Sequence, residues 1–327
     1  MYPRLSDIFE DLFGLGLPFP IYSFGAMLAV AVLVAAWLTR LELDRMYRAG
    51  RVGAVRVPAG ETKKEKGKGK KSRSRMVEAS PGVLAGTIAF IAIIGGVLGS
   101  KLFHILENLD RFAEDPAGMI FSTGGLTFYG GLIVAGLWIA WYVRQKGQRI
   151  PDVADAIAPG LLLGYGIGRI GCYLAGDGDW GICSSLADKP GWLPTWLWTE
   201  TFPNNILNLD VAQRCALEYG PQYGGVFPTM LYEFAMAAAL FGILWALRKH
   251  PFRGGWLFGL YLVFTGAERF LIEQIRVNNE FDLLGLVVTQ AEVISTVLIV
   301  GGVVLLVLTS KKRQPTEPVE EEVAVSS

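Results

Sequence analysis

The sequence predicts an all-α membrane protein with seven transmembrane helices, and three observations support this fold class. Apolar residues make up 52% of the chain and the mean hydropathy is +0.38, values too high for an ordinary soluble domain. Seven apolar stretches have close to the ~20 residues that a helix needs to cross ~30 Å of hydrocarbon. Apolar and polar residues do not alternate in them, which excludes the strands of a membrane barrel. The predicted spans are 18–38, 82–103, 124–143, 153–173, 227–247, 255–275 and 284–308.

The basic linkers set the predicted orientation, because Lys and Arg collect in short loops on the cytoplasmic side. Four segments are rich in them: the linker after the first span, the turns after the third and fifth spans, and the segment after the last. We therefore predict that the N-terminus lies outside and the C-terminus in the cytoplasm. The first ten residues lack the basic n-region of a cleaved signal, so the first span is expected to be retained. Representative basic residues are Lys63, Lys64, Lys66, Arg144, Lys146, Arg149, Arg248, Lys249, Arg253, Lys311, Lys312 and Arg313.

Three segments lie outside the spans of this single membrane domain, 1–327. Residues 40–80 are predicted to form a basic cytoplasmic loop that is partly disordered, since Gly, Lys and Ser predominate in its middle. Residues 176–225 are predicted to form a small irregular periplasmic cap, rich in the Trp that favours the headgroup layer. Residues 312–327 read as a disordered cytoplasmic tail.

Charged residues recur near the outer end of the predicted bundle. Arg169 lies near the end of the fourth span, and inserting a guanidinium costs about 2.5–3.5 kcal/mol at a bilayer centre. At ~3.6 residues per turn, Arg269, Glu273 and Arg276 share one face of the sixth helix. Other polar residues at this depth are Tyr129, Asp177, Asp179, Tyr232, Glu233 and Glu268. The sequence therefore predicts a polar site just beneath the outer surface.

Two interpretations of these charges are open. Arg269 and Glu273 are suitably spaced for a simple ion pair that locks the bundle. Alternatively, Arg169 and Arg276 are additional cations that one glutamate cannot neutralise, and they bind an anionic ligand.

Glycines repeat every four residues in two spans. Gly160, Gly164 and Gly168 precede and adjoin Arg169, and Gly95 and Gly99 lie in the second span. No strand precedes the first group, which excludes a dinucleotide-binding turn. This spacing predicts close helix packing in lipid.

Cysteine and histidine give weaker signals. The three cysteines, Cys172, Cys183 and Cys215, match no metal-ligand spacing, and neither a metal nor another cofactor is predicted. Cys183 and Cys215 fall in the predicted cap, where a disulfide is permitted, but two unpaired thiols are equally compatible with the sequence. His250 falls in a cytoplasmic turn and is expected to be solvated.

Several motifs occur in order along the spans. The most specific is GRIGCYLAGD (168–177), and the others are IYSFGAM (21–27), GLTFYGGLI (125–133), FPTMLYE (227–233), GAERFLIEQIR (266–276) and TQAEVIS (289–295). Together they resemble the bacterial prolipoprotein diacylglyceryl transferases, seven-span enzymes of the cytoplasmic membrane. The resemblance implies transfer of the diacylglyceryl group of phosphatidylglycerol to the lipobox cysteine thiol of a prolipoprotein. A thioether forms and glycerol phosphate is released.

The resemblance also implies roles for individual residues. Arg169 and Arg269 align with the family's essential arginines, and Glu273 aligns with its partner glutamate. Asp177 aligns with an acidic position usually filled by glutamate, and Tyr129 stands where many members carry a histidine proposed as a base. The proton acceptor for the thiol is therefore open among Glu273, Asp177 and Tyr129. The predicted catalytic residues are Arg169, Arg269, Glu273 and Tyr129. The predicted substrate-binding residues are Arg169, Asp177, Tyr232, Glu233, Arg276, Phe24, Gly168 and Gly171.

The implied partners are phosphatidylglycerol, a prolipoprotein signal peptide and the surrounding membrane lipids, with no nucleic acid. The implied location is the bacterial cytoplasmic (inner) membrane. Two alternatives are a catalytically diverged paralogue, favoured by the missing histidine, and a lipid-binding or transport protein that uses the same cationic cavity. Charges at one surface rather than at the midplane disfavour a transporter.

Overall fold

Helices make up most of the protein. The computed structural model describes residues 2–14, 19–58, 76–122, 127–276, 280–283 and 286–312. Its helices are α1 (Leu5–Phe13), α2 (Ser23–Arg48), α3 (Ala85–Glu107), α4 (Leu109–Glu114), α5 (Pro116–Phe121), α6 (Phe128–Gln145), α7 (Ile150–Ala175), α8 (Thr195–Trp198), α9 (Val211–Tyr219), α10 (Thr229–Leu247), α11 (Trp256–Glu273) and α12 (Gln290–Thr309). Its strands form antiparallel pairs, β1 (Val55–Pro58) with β2 (Met76–Ala79), β3 (Cys183–Ser185) with β4 (Tyr223–Val226), and β5 (Glu280–Leu283) with β6 (Leu286–Thr289).

Long apolar helices define the fold as that of an all-α membrane protein. Among the described helices, α2, α3, α6, α7, α10, α11 and α12 have 18 or more residues. Within the described part of the chain, five segments are long and apolar enough to cross a membrane: Ser23–Arg48, Pro81–Glu107, Ile150–Ala175, Thr229–Leu247 and Gln290–Thr309. Their outward side chains, such as Leu33, Leu98 and Val304, are large, apolar and exposed. A surface of this kind suits lipid rather than water.

The first and last long helices begin and end later than predicted. Helix α2 continues past the predicted end at Leu38 because Leu43 and Met46 are buried in an apolar cluster with residues of α3, α6 and α7. Helix α12 begins at Gln290, where a capping box of Thr289 and Glu292 satisfies its first backbone N–H groups. Residues 286–289 were predicted to be helical but instead form β6, which pairs with β5.

The predicted loop at 40–80 is therefore partly wrong. Its beginning belongs to α2, and β1 and β2 form a hairpin within it. The lysine-rich run at 59–75 lies outside the described residues, as does 313–327, which holds almost all of the predicted tail.

The cap, residues 176–225, is more regular than predicted. It contains β3, most of β4, α8 and α9. A disulfide joins Cys183 of β3 to Cys215 of α9, which settles the pairing that the sequence left open. Trp180 and Phe202 pack with that disulfide in one buried apolar cluster. The covalent link and this core order a segment that its composition alone would leave irregular.

The basic linkers meet at one end of the bundle, called here the basic end, and α7 runs from it to the cap end. Gln148 Nε2 donates to the Gly53 carbonyl at 3.1 Å, which joins the α6–α7 turn to the linker after α2. The Arg253 N–H donates to the Lys311 carbonyl at 3.3 Å, which joins the α10–α11 turn to the end of α12. Arg51 Nη1 donates to the His250 carbonyl at 3.1 Å, which joins these two pairs, so the four segments lie at the same end of the bundle, as predicted.

His250 is not solvated, contrary to expectation. It is 8% exposed, and its ring packs against Phe252 and Trp256. Its Nε2 lies 3.5 Å from Asp155 Oδ2, so the turn folds the imidazole onto α7.

Glycines allow the helices to approach closely at most of the predicted positions. A Cβ added at Gly99 would lie 2.5 Å from the Gly130 carbonyl oxygen, where α3 packs on α6. A Cβ at Gly160 would lie 2.9 Å from the Ala35 carbonyl oxygen on α2. Gly168 differs, because a Cβ there would meet nothing within 4 Å, so the prediction that Gly168 serves packing is wrong. That face of α7 is open.

Gly99→Ala is expected to destabilise the protein by about 1–3 kcal/mol, because the added methyl group must separate α3 from α6. Gly96→Ala is the matched control on the same helix, since a Cβ there would meet nothing within 4 Å. Thermal unfolding in detergent measures both variants. An equal loss of stability in the two variants would contradict the close contact assigned to α3 and α6 at Gly99.

Candidate active site

The predicted site residues converge where α7, α10 and α11 meet at the cap end. Arg169 lies in the last two turns of α7, which ends at Ala175. Glu233 lies early in α10, which begins at Thr229, and Glu273 is the last residue of α11. Residues from three separate motifs therefore become neighbours.

The Glu233 carboxylate is at the centre, and its side chain has 0% exposure. Arg169 Nε donates to Glu233 Oε2, and Arg169 Nη2 contacts the same oxygen. Glu233 Oε1 lies 3.6 Å from Arg269 Nη1 and 3.5 Å from Arg276 Nη1. It also lies 3.1 Å from the hydroxyl of Tyr165. Three guanidinium groups and one hydroxyl thus offset the cost of burying this carboxylate.

Arg276 reaches the cluster from beyond the helix. The spacing predicted that it shares a helical face with Arg269 and Glu273, but α11 ends at Glu273. Backbone pairing with Gly181 of the cap replaces the next helical turn at Arg276. The side chain still turns toward the site, and its Nη2 lies 2.8 Å from Asp179 Oδ1. The prediction that Arg276 shares a helical face with Arg269 and Glu273 is therefore wrong, but Arg276 does lie in the predicted polar site.

Asp179 supplies a second carboxylate from the loop after α7. Its Oδ2 accepts from Arg169 Nη1 and its Oδ1 accepts from Arg276 Nη2. Burial tends to raise the pKa of the Asp179 carboxyl, but the charges of Arg276 and Arg169 outweigh it and hold this pKa below its usual value. The loop is fixed by Gly176, whose φ of 61° favours glycine, and by Thr229 Oγ1, which donates to the Asp179 carbonyl at 2.9 Å.

Asp177 lies beside Asp179 and completes a set of possible metal donors. Burial raises the pKa of the Asp177 carboxyl, although a hydrogen bond with the Cys172 thiol opposes this shift. Among the described residues, donor atoms of Cys172, Asp177 and Asp179 lie within 4.8 Å of one another. Arg169 and Arg276 already contact Asp179, and their positive charge disfavours a cation there. We assign no metal to this position.

Arg269 is the most accessible of the three arginines. Its side chain is 29% exposed, against 10% for Arg169 and 9% for Arg276. It also lacks a short ion pair: its distances are 3.6 Å to Glu233 and 3.4 Å to Glu273, whereas Arg276 lies 2.8 Å from Asp179. The expectation that Arg169 and Arg276 are spare cations is therefore wrong, because carboxylates pair with both.

Two tyrosines predicted at the site have different surroundings. Tyr129, near the start of α6, lies within electrostatic reach of Arg269 and Glu273. The Tyr232 hydroxyl donates to the Leu197 carbonyl, so it ties α10 to the cap. A substrate-binding role for Tyr232 stays a prediction.

The first turn of α2 lies beside the α7 motif. A Cβ added at Gly171 would lie 3.3 Å from Phe24 Cα and 3.1 Å from Met27 Cβ, so Gly171 permits close helix contact. Phe24 itself is 44% exposed. The two residues are therefore adjacent, while Gly168 one turn earlier borders open space.

The sequence motifs did not identify Tyr165 as part of the cluster. Its hydroxyl lies 3.1 Å from Glu233 Oε1 and 3.2 Å from Glu268 Oε1. Tyr165 precedes Arg169 by one turn on α7, and this i, i+4 relation is the signal that points to it.

Fold and site together define a helical membrane protein with a buried arginine–carboxylate cluster at one end. The model of the family described as prolipoprotein diacylglyceryl transferase matches residues 69–308. The chain belongs to this family.

Relatives named phosphatidylglycerol–prolipoprotein diacylglyceryl transferase occur in several bacteria. The Dehalococcoides mccartyi protein is 33% identical over 241 residues, 71% of this chain and 80% of the relative. The Aeromonas hydrophila protein is 30% identical over 232 residues, 69% and 74% of the two chains. The Corynebacterium glutamicum protein is 26% identical over 314 residues, 94% of this chain and 85% of the relative.

Asp179→Asn is expected to lower the thermal stability near neutral pH, because Arg169 and Arg276 lose an anionic partner. Folding lowers the pKa of Asp179. Its stabilisation is therefore present above the unfolded-state pKa of about 3.9 and disappears as the pH falls through the lower folded-state value. Thermal unfolding in detergent across this pH range measures the effect.

The matched control for this experiment is Asp188→Asn, which changes an exposed carboxylate of the cap. Its unfolding temperature should follow the wild type at every pH. If the unfolding temperature of Asp179→Asn stayed below that of the wild type by the same amount well below pH ~3.9, the assigned ion pairs would be contradicted.

Proposed function

We propose that this protein transfers the diacylglyceryl group of phosphatidylglycerol to the lipobox cysteine thiol of prolipoproteins. The observation that carries the proposal is the convergence of Arg169, Arg269 and Arg276 on Glu233, with Arg269 reachable from outside, in a chain of this family. The names of the relatives give the same activity. They favour transfer over a lipid-binding or transport role.

The arginines suit the leaving group of this reaction. The thiol sulfur forms a bond to the glyceryl CH₂, the C–O bond to the phosphate breaks, and glycerol phosphate leaves with the bonding electrons. Planar guanidinium donors match the phosphate oxygens on which this charge develops. In the proposal Arg269 binds the phosphate, while Arg169 and Arg276 are held in place beside it by Glu233 and Asp179.

The attacking thiol must lose its proton, since its unperturbed pKa is about 8.5. A positive field near the sulfur favours the thiolate. Glu273 is the best-placed acceptor among the open candidates, because both of its carboxylate oxygens are buried without a hydrogen-bond partner in the described structure. We assign Tyr129 to positioning the substrate through its hydroxyl and Asp177 to the rim of the site.

The proposal also sets the protein in the bacterial cytoplasmic membrane with seven spans, α2, α3, α6, α7, α10, α11 and α12. The basic end faces the cytoplasm, following the distribution of Lys and Arg. The cap and the site then face the periplasm, where the lipobox cysteine arrives. The open face of α7 at Gly168 is a candidate entrance for the lipid.

Arg269→Ala is expected to reduce transfer by more than about 100-fold, because a donor aimed at the developing phosphate charge is lost. The fold should persist, since this side chain is 29% exposed. Purified protein, phosphatidylglycerol vesicles and a lipobox peptide provide the assay, and mass spectrometry detects the thioether-linked diacylglyceryl group.

The matched control is Arg214→Ala in α9, where the arginine is 60% exposed and pairs with Glu218. Tyr129→Phe is expected to lower the transfer rate only a few-fold, about the effect of removing one neutral hydrogen bond. Wild-type rates for Arg269→Ala would refute the phosphate assignment. A complete loss for Tyr129→Phe would give Tyr129 the role of the base.

Introduced thiols test the orientation. An impermeant maleimide added to intact spheroplasts is expected to label Asp188→Cys in the cap but not Lys249→Cys at the basic end, both exposed positions. Permeabilised membranes should give labelling of both. The wild type is the control, because Cys172 is buried and Cys183 is bonded to Cys215. The reverse pattern would overturn the orientation.

A further inference from the structure

The hydroxyl of Tyr165 lies between two buried carboxyl groups. It is 3.1 Å from Glu233 Oε1 and 3.2 Å from Glu268 Oε1. A tyrosine carries one O–H hydrogen and can donate to only one of these oxygens. The second contact is a hydrogen bond only if one of the carboxyl groups carries a hydrogen. Otherwise two acceptor oxygens face each other with no hydrogen between them.

Charge decides which carboxyl group carries that hydrogen. Glu233 contacts three guanidinium groups, which favour its ionised form. Glu268 is 3% exposed, and among the described residues no cation lies within ion-pair distance of it. A buried carboxylate without a paired cation is costly, so the neutral acid is favoured.

We propose that Glu268 is protonated and donates a hydrogen bond to the Tyr165 hydroxyl, which in turn donates a hydrogen bond to Glu233. The two residues act as positioning residues: they fix the Glu233 carboxylate in the orientation that gathers the three arginines. The proposal rests on the proposed function, because the arginines gathered in this way are those assigned to the phosphate.

This chain of hydrogen bonds from Glu268 through Tyr165 to Glu233 makes the site sensitive to alkaline pH. The charged and titratable groups that face Glu268 are Tyr165 and Arg169 on α7, Glu233 on α10, and Tyr261 and Arg269 on its own helix. Loss of the Glu268 proton would place a second anion against the Tyr165 oxygen. The single hydrogen of Tyr165 would then be shared, and its hold on Glu233 would weaken.

Glu268→Gln is the central test, because glutamine keeps a donor and cannot ionise. We expect its transfer rate at neutral pH to stay within about threefold of the wild type. At alkaline pH, where the transfer rate of the wild type should decline, that of Glu268→Gln should not. Tyr165→Phe is expected to lower kcat/KM by about tenfold or more, the effect of removing a hydrogen bond to a charged group. Tyr142→Phe, on α6 toward the basic end, is the matched control.

Infrared spectroscopy provides a readout that does not depend on transfer. The C=O stretch of a protonated carboxyl group should be present in the wild type and absent from Glu268→Gln, with unchanged thermal unfolding in detergent. Identical spectra in this region would overturn the proposal. So would a folded but inactive Glu268→Gln, or equal kcat/KM for Tyr165→Phe and Tyr142→Phe. A wild type that shows the band but transfers no lipid would refute the proposed function and leave the protonated Glu268 established.

Discussion

The sharing of the Glu233 carboxylate among three guanidinium groups is the interaction on which the cap end of the bundle depends. The carboxylate comes from α10, and Arg169 and Arg269 come from α7 and α11. A buried charge without its partner costs several kcal/mol, so neither the carboxylate nor the arginines would be stable there alone. In lipid, apolar contact gives helices little preference for one register. The cluster supplies that preference and forms the site at the same time.

The three arginines have different surroundings because the second carboxylate, Asp179, reaches only two of them. Asp179 contacts Arg169 and Arg276, which are almost fully buried, whereas Arg269 is partly exposed. The position of Asp179 depends on the loop after α7, whose Asp179 carbonyl accepts from Thr229 of α10 and whose Trp180 packs with the disulfide in the cap's apolar cluster. The cap thereby shapes the site without contributing most of its charges.

Buried charged groups also join the helices at the basic end. Glu42, with a side chain 2% exposed, pairs with Arg45 and Arg248. Asp155 accepts from backbone N–H groups at the start of α11 and lies beside His250. Polar clusters therefore fix both ends of the helices, while glycine contacts join their middle parts. This division keeps charged groups away from the centre of the hydrocarbon, where their burial costs most.

The sequence by itself determined the helical membrane class, the grouping of the basic linkers and the motif residues, because hydrophobic length and charge are local properties. It did not determine that Tyr165 joins Glu233 to Glu268, that Arg276 enters from beyond α11, or that the cap is ordered. These features depend on contacts between segments distant in the chain, and no spacing within one helix encodes them. Only the tertiary structure decided which arginine remains most accessible, because exposure depends on how closely the neighbouring helices and the cap pack around each guanidinium.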